Sequence, residues 1–302
     1  MTHSVSFKSN TEQDNQFKRE KVSGGATGVV AALASGVPGV ATLPVTTKII
    51  LPAMQKAGDL DSVTIANIQD GARKAWKDSG LKDKGVNIEF LKQAADKNWS
   101  IKDLMNPIVS VKKGVNAFFL PKDVKNIFGL VIYPKNTILI PEKDISYALY
   151  HELGHSHNFN MSKFGKFLQQ CRPLSMYLPA LIALYGAFSR KSKPEDGKEL
   201  TAAQKTNNFI RDNAGKISFF VTIPMLIEEG LATKKGLGWA KKYLSPENFK
   251  QVKKGNLIAY TSYLLTAASM GLASWFAVKV KDKLIAKREK AQEELYREAG
   301  VI

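Results

Sequence analysis

Three of the four histidines in the chain lie in one short stretch, YALYHELGHSH, at residues 147–157. His151 and His155 are four residues apart, so on a helix they lie one turn apart on the same face. Two imidazoles aimed at one point are typical of zinc sites, and a catalytic zinc takes three protein ligands and a water. Glu152 follows the first histidine, where it can accept a proton from that water. The stretch predicts a metal site with these two histidine ligands and Glu152 as general base.

The third ligand must come from another part of the chain. The sequence IPMLIEEGLATKKG at 223–236 offers Glu228 and Glu229 directly after an apolar run. A carboxylate in apolar surroundings is costly without a cation, so one of the two is the expected ligand. The alternative is a solvated helix face near a membrane. Pro224 suits the first turn of this helix, and Gly236 is expected to end it.

Two further residues of the histidine stretch have expected roles. His157 lies two positions after His155, so it points about 200° around the helix and is not expected to ligate the same metal. It is either a surface residue or an electrophile that stabilises a transition state. Gly154 lets another element approach the helix closely.

The helix with the histidines is expected to follow a small antiparallel sheet. Apolar residues at helical spacing predict a helix over 61–79, which Gly80 ends. Short β-type runs predict strands, the last two joined as a hairpin, at 107–111, 116–121, 130–133 and 137–140. Asp144 can then cap the histidine helix.

The last predicted strand is a candidate for substrate binding. It contains Thr137, Ile138, Leu139 and Ile140 and ends just before the histidine helix. An edge at this strand could pair with the main chain of an extended peptide, which gives binding that tolerates many sequences.

Several uncharged stretches predict contact with a membrane. Residues 257–278 have no charge and lysines on both sides, and about 20 apolar residues of helix span a bilayer. Residues 173–189 and 217–227 are shorter, and are either a membrane-dipping hairpin or core helices. Residues 22–47 are apolar and rich in glycine and alanine, so they form a possible membrane segment.

The charge of the chain favours an anionic partner. The 302 residues include 44 Lys and Arg against 27 Asp and Glu, a net charge of +17. The lysines are spread along the chain without a basic patch interleaved with aromatic residues, so anionic membrane lipid is expected rather than nucleic acid. The single cysteine, Cys171, excludes an intrachain disulfide.

Two motifs carry a resemblance to known metallopeptidases. EGLA, Glu229–Ala232, is similar to the glutamate-helix signature of the zinc aminopeptidases, which belong to the gluzincins, and this likeness favours Glu229 over Glu228. NAFFLP, Asn116–Pro121, followed by a strand and HELGH, resembles the membrane-embedded HExxH endopeptidases. That family includes the bacterial heat-shock membrane protease and the eukaryotic prenyl-protein protease. The resemblance covers roughly 110–235.

The chain also departs from that family. Thr233 stands where the family has an aspartate that supports a ligand histidine, so this supporting role is unassigned. The segment after Pro121 lacks the family's paired glycines. Candidate donors to an oxyanion are His157, Tyr150 and Arg211.

The resemblance implies an α+β, mostly helical fold, in which a zincin-like domain with a small antiparallel sheet is combined with transmembrane or membrane-dipping helices. The expected parts are a disordered tail, an apolar segment, the zincin-like part, an apolar hairpin with the glutamate helix, a transmembrane helix and a charged C-terminal helix, at 1–21, 22–55, 56–165, 166–240, 257–278 and 279–302.

The implied activity is hydrolysis of peptide bonds in a peptide or protein substrate, with one Zn²⁺ per chain held by His151, His155 and Glu229. The chain is expected to be an integral or tightly bound membrane protein with its active site on the cytoplasmic side. The alternative is a catalytically inactive metal-binding membrane scaffold.

Overall fold

The computed structural model describes residues 29–33, 49–95, 106–114, 116–125, 129–143, 146–194 and 198–300. The predicted tail at 1–21, most of the apolar segment at 22–55 and the predicted cap Asp144 lie outside them. The described chain is mostly helical with a small sheet, which confirms the α+β, mostly helical prediction.

The chain divides into two compact units. The sheet unit contains the described residues of 42–175 and 222–267, and the helical unit contains the described residues of 1–41, 176–221 and 268–302. The main helices and strands follow in the order α1 (Leu51–Gly58), α2 (Ser62–Asp78), β1 (Asn87–Leu91), α3 (Pro107–Lys112), β2 (Phe118–Leu120), β3 (Val124–Lys125), β4 (Val131–Tyr133), β5 (Thr137–Pro141), α4 (Ala148–Met161), α5 (Lys163–Phe188), α6 (Ala202–Asp212), α7 (Ala214–Val221), α8 (Ile223–Tyr243) and α9 (Pro246–Glu298).

Helix α2 confirms the helix predicted over 61–79. The carboxylate of Asp61 accepts a hydrogen bond from the N–H of Thr64 at 2.9 Å, as an N-cap does. The chain leaves the helix at Gly80, whose φ of +72° is a left-handed conformation that glycine adopts without steric cost. Ile68 and Ala72 are fully buried in the core of the sheet unit.

Helix α3 corrects the strand predicted at 107–111. The side chain of Asn106 accepts hydrogen bonds from the N–H groups of Ile108 and Val109, and Pro107 occupies the first turn. Asparagine at the N-cap followed by proline is a strong start signal for a helix. It outweighs the β-branched residues that suggested a strand.

Strand β5 is the central strand of a three-stranded sheet with the order β1–β5–β2. It runs parallel to β1 and antiparallel to β2, so this sheet is mixed rather than antiparallel as predicted. All of its residues are buried. The prediction that Thr137, Ile138, Leu139 and Ile140 form a substrate-binding edge was wrong, because β1 and β2 already pair with both sides of this strand.

The predicted hairpin between 130–133 and 137–140 was also wrong. Strand β4 pairs with β3 in a separate two-stranded antiparallel sheet. Asn136, with a φ of 63°, turns the chain between β4 and β5. Its N–H donates to the carbonyl of Leu120 and its carbonyl accepts from the N–H of Asn87, so its backbone joins the sheet around β5.

Two of the predicted apolar segments lie within long helices, since α5 contains 173–188 of the segment 173–189 and α9 contains 257–278. The whole of 257–278 falls in α9, which has 53 residues and is the one helix of the described chain long and apolar enough to cross a membrane. Only 28% of its apolar window is buried, whereas the core helix of a soluble protein would be mostly buried. One such helix is weak evidence for association with a membrane. The segment 217–227 is divided at Thr222 between α7 and α8.

Candidate metal centre

Helix α4 is enclosed by other elements along the stretch that carries the histidines. Residues 149–156 are all buried. His151, Glu152 and His155 are 6%, 7% and 5% exposed. Ionisable groups with so little contact with water need partners of their own.

Helix α8 crosses α4 at two glycines that leave no room for side chains. A Cβ atom on Gly154 would lie 2.1 Å from the backbone oxygen of Ala232, and one on Gly236 would lie 2.3 Å from that of Tyr150. Glycine is needed where two backbones approach this closely. The close approach predicted at Gly154 is confirmed. Gly236 does not end α8 as predicted, since the helix continues to Tyr243.

The crossing places Glu229 against both predicted histidine ligands. Oε2 of Glu229 lies 3.0 Å from Nε2 of His151 and 3.4 Å from Nε2 of His155. The two Nε2 atoms are 2.8 Å apart, and Glu229 is fully buried. These three residues form a compact group that could hold a metal ion.

The distances suit a tetrahedral ion. Bonds of about 2.0–2.1 Å put the ligand atoms of a tetrahedral site about 3.3 Å apart, and here they are 2.8, 3.0 and 3.4 Å apart. Oε1 of Glu229 and Oε2 of Glu228 are buried with no hydrogen bond from the described residues. A cation relieves the cost of such oxygens. Two imidazoles and a carboxylate suit zinc and other divalent first-row metals, and do not by themselves select one.

The other ring nitrogen of each histidine has a partner of its own. Nδ1 of His151 lies 3.1 Å from the hydroxyl of Thr233, and Nδ1 of His155 lies 2.8 Å from Oε1 of Glu228. Such partners hold the proton on Nδ1 and direct Nε2 toward a metal. Thr233 therefore contacts the ring that the aspartate of the resembled family would support. Glu228 contacts the outer edge of a ligand ring, away from the Nε2 atoms.

Helix α5 adds two side chains to the centre. Gln169 donates from its amide to Oε1 of Glu228 at 2.9 Å and to the carbonyl of His155 at 2.7 Å. Nη2 of Arg172 lies 2.6 Å from Oε1 of Glu229, and its Nη1 lies 3.6 Å from Oε2 of Glu228. These contacts are ion pairs without the angles of hydrogen bonds, so they balance charge and leave both oxygens without a donor.

Opposite charges fix the ionisation of the centre. Burial raises the pKa of Glu229, but Arg172 and His155 outweigh it and hold that pKa well below its usual range. Burial lowers the pKa of His155, but Glu228 and Glu229 outweigh it and raise that pKa well above its usual value. A protonated His155 thus lies between two carboxylates in the metal-free protein. Metal binding would displace this proton.

The structure does not bring His157 to the ligand atoms. Its ring packs edge-on against Trp239 of α8, with the ring centroids 5.3 Å apart. Burial and the nearby charge of Lys235 lower the pKa of His157 to about 4, so the ring is neutral at pH 7. Its Nδ1 is buried without a hydrogen-bond partner among the described residues.

The other two predicted oxyanion donors also have different surroundings. The buried hydroxyl of Tyr150 faces Gly71 of α2. Arg211 belongs to the helical unit, where it pairs with Asp282. Neither of these contacts places Tyr150 or Arg211 at the three candidate ligand atoms.

Sequence reasoning missed Gln169, Arg172 and Tyr263, and it left the supporting role unassigned although Thr233 had a signal for it. Thr233 lies four positions after Glu229 and therefore on the same face of α8. Gln169 and Arg172 are on α5. Tyr263 is on α9 and interacts electrostatically with Arg172. No spacing rule connects these helices to HELGH.

Comparisons with known proteins identify no relative. No family model, no curated protein and no solved structure matches the chain. What the fold and the centre define is a mostly helical protein with a buried His–His–Glu group that could hold a metal ion.

Proposed function

We propose that the protein is a membrane-associated zinc metalloendopeptidase of the gluzincin type, resembling the membrane-embedded HExxH endopeptidases. The observation that carries the proposal is the meeting of Nε2 of His151, Nε2 of His155 and Oε2 of Glu229 within 2.8–3.4 Å of one another. Glu152 lies on the same helix as the two histidines. Two histidines and a glutamate that leave one position open are the ligand set of catalytic zinc in several peptidases.

Zinc, when bound, would polarise the scissile carbonyl and make the attacking water more acidic. Glu152 accepts one proton of this water as the oxygen attacks the carbonyl carbon. It then gives the proton to the departing amine, so that the C–N bond breaks and a carboxylate and an amine leave. At 7% exposure, Glu152 is largely shielded from competing solvent protons.

Arg172 and Tyr263 replace the earlier candidates for the oxyanion donor. Both interact electrostatically with Glu229, with Glu152 and with each other. A guanidinium and a phenol hydroxyl can donate to the carbonyl oxygen as negative charge develops on it.

The expected peptide or protein substrate could add at an outer edge of the three-stranded sheet. Among the described strands of this sheet, β1 and β2 each pair with β5 on one side only, and β2 is the edge proposed here. An extended peptide added beside Phe118–Leu120 would receive main-chain hydrogen bonds, as the predicted β5 edge was expected to give. The β2 edge takes over that role in the proposal.

The test measures both the zinc content and the peptide hydrolysis of the detergent-purified protein. Zinc per chain would be measured by elemental analysis for the wild type and for Glu152→Gln, Glu228→Ala and Glu229→Ala, and each would be incubated with a denatured protein substrate. We expect about one zinc in the wild type and in Glu152→Gln, and loss of zinc in Glu229→Ala. We expect Glu152→Gln to lose cleavage by about 10²-fold or more.

Two outcomes would overturn the proposal. A well-folded wild type without zinc excludes the metallopeptidase. A wild type that holds zinc but cleaves no faster than Glu152→Gln indicates the metal-binding scaffold instead.

A further inference from the structure

Gln169 connects the backbone of one predicted metal ligand to the partner of its side chain. The amide nitrogen of Gln169 lies 2.7 Å from the carbonyl oxygen of His155 and 2.9 Å from Oε1 of Glu228. The same Oε1 atom lies 2.8 Å from Nδ1 of His155. The three contacts form a closed loop, because the path from the His155 backbone through Gln169 and Glu228 returns to the His155 ring.

The amide of Gln169 can make both contacts in one orientation only. The carbonyl of His155 accepts hydrogen bonds and cannot donate one, so the amide nitrogen and not the amide oxygen must face it. This nitrogen carries two hydrogens, and each of the two acceptors takes one. Because the amide is neutral, Gln169 holds the carboxylate of Glu228 without adding charge to the centre.

The packing of α5 on α4 explains why Gln169 reaches this position. A Cβ atom on Gly165 would lie 2.6 Å from the backbone oxygen of Asn158, so the two helices meet there with no room for a side chain. Gln169 is four positions after Gly165 and therefore lies on the same face of α5, one turn further on. The close contact at Gly165 thus brings the amide of Gln169 within reach of His155.

These contacts restrict the orientation of the His155 ring. An imidazole can turn about two side-chain bonds, and its Nε2 points at a metal in only some of the resulting orientations. Glu228 holds the ring at Nδ1, but the carboxylate of a glutamate is itself at the end of a flexible side chain. Gln169 ties that carboxylate to the backbone of the same residue whose ring the carboxylate orients.

We propose that Gln169 is a positioning residue of the metal centre, which acts through Glu228 to keep Nε2 of His155 directed toward the metal. The proposal rests on the metal binding of the proposed function and not on peptide hydrolysis, so it applies equally to the inactive scaffold. Loss of a partner behind a ligand histidine typically weakens metal binding by 10–100-fold. Gln169 is one contact further from the metal than Glu228, so we expect an effect of about tenfold.

The test is a double-mutant cycle on the full chain, with zinc affinity measured by competition with a coloured chelator. Gln169→Met removes both hydrogen bonds and keeps an unbranched side chain, and it would be made in the wild type and in Glu228→Ala. Gln170→Met is the matched control, because Gln170 is the next residue of α5 and is exposed. The visible absorption of Co²⁺ bound in place of zinc reports the geometry of the ligands. The free energy of unfolding, measured on the same samples, reports the stability of each variant.

We expect Gln169→Met to weaken zinc binding about tenfold in the wild type, to change the Co²⁺ spectrum, and to have no further effect in Glu228→Ala. Gln170→Met should bind zinc as tightly as the wild type. A tenfold loss in both backgrounds would overturn the proposal, because Gln169 would then act independently of Glu228. A lower free energy of unfolding with unchanged zinc affinity and Co²⁺ spectrum would also overturn it, because Gln169 would then only join two helices.

A second variant separates the role of Gln169 from a fault in packing. Gln169→Leu removes the same hydrogen bonds with a different side-chain shape, and we expect the same tenfold loss from it. Failure of the proposed function gives a different result from failure of this inference. A well-folded wild type that binds no metal overturns the metal centre and this role together, whereas a wild type that binds zinc no more tightly than Gln169→Met and Gln169→Leu overturns only the role of Gln169.

Discussion

Oε1 of Glu228 lies 2.8 Å from Nδ1 of His155, on the edge of the ring opposite the nitrogen that faces Glu229. Two adjacent glutamates thus contact one imidazole from its two sides. One carboxylate is in position to bind a metal, and the other holds the ring in position for it.

Glu228→Ala is expected to weaken zinc binding without abolishing it. Loss of a partner behind a ligand histidine typically costs 10–100-fold in metal affinity, so we expect about that change. Competition with a coloured chelator measures it. Glu247→Ala removes an exposed carboxylate from α9 and is the control. If Glu228→Ala lost zinc as completely as Glu229→Ala, Glu228 would be a ligand itself.

Thr233→Val is expected to weaken zinc binding about tenfold, because it removes the hydroxyl beside Nδ1 of His151 and keeps the shape of the side chain. Thr233→Ser should restore the affinity. The same chelator competition reports both variants. Equal affinity in valine and serine variants would show that the hydroxyl has no supporting role.

Gly236→Ala is expected to separate α8 from α4. The new Cβ would lie 2.3 Å from the backbone oxygen of Tyr150, and overpacking of this kind costs about 1–3 kcal/mol. Gly238→Ala is the control on the same helix, since a Cβ there meets nothing within 4 Å. That change should stabilise the helix by up to about 1 kcal/mol. Denaturant unfolding and zinc content would be compared, and a neutral Gly236→Ala would contradict the close crossing.

His157 is expected to make the protein less stable in acid. Its pKa is lowered to about 4 from an ordinary value of 6.5, so the unfolded chain binds its proton more readily than the folded one. The stability from this residue is complete above pH 6.5 and is lost as the pH falls toward 4. His157→Phe keeps a ring beside Trp239 and removes the titration. The free energy of unfolding should fall less with acid in this variant than in the wild type, and identical pH profiles would contradict the assignment.

Tyr263→Phe is expected to lower kcat for peptide hydrolysis about 10²-fold, the effect of losing one donor to an oxyanion. Zinc content should not change, since Tyr263 is not a ligand. Tyr177→Phe changes a ring that is 69% exposed and should leave kcat as it is. If Tyr263→Phe raised KM alone, the hydroxyl would bind substrate rather than the transition state.

The sequence predicts those residues of the centre whose positions follow from the 3.6-residue period of a single helix. Four-residue spacing placed His151 and His155 on one face, and Gly154 marked the place of a close neighbour. The pairing of strands was beyond such rules, because the side-chain pattern of a strand does not say whether its two edges are paired. The continuous apolar run of β5 indicated only that both of its faces are buried.

Long-range contacts explain the rest of what sequence reasoning missed. Arg172 directly precedes the uncharged stretch at 173–189, and nothing in the residues around it points to Glu229. Its actual partner, Glu229, is on another helix, and only the packing of α5 with α8 brings the two charges together. Asn106 and Pro107 are different, because their local signal for a helix start was present in the sequence and was outweighed by the β-branched residues after it.

The ion pair of Arg172 with Glu229 affects the stability of the protein when zinc is scarce and the centre holds no ion. Without an ion, the carboxylate has an opposite charge 2.6 Å away. The crossing of α4 and α8 at Gly154 and Gly236 depends on backbone contact and not on the ion. A zinc finger folds only around its metal. This chain, in contrast, would stay folded without zinc, so it could lose and rebind the ion without new synthesis of the protein.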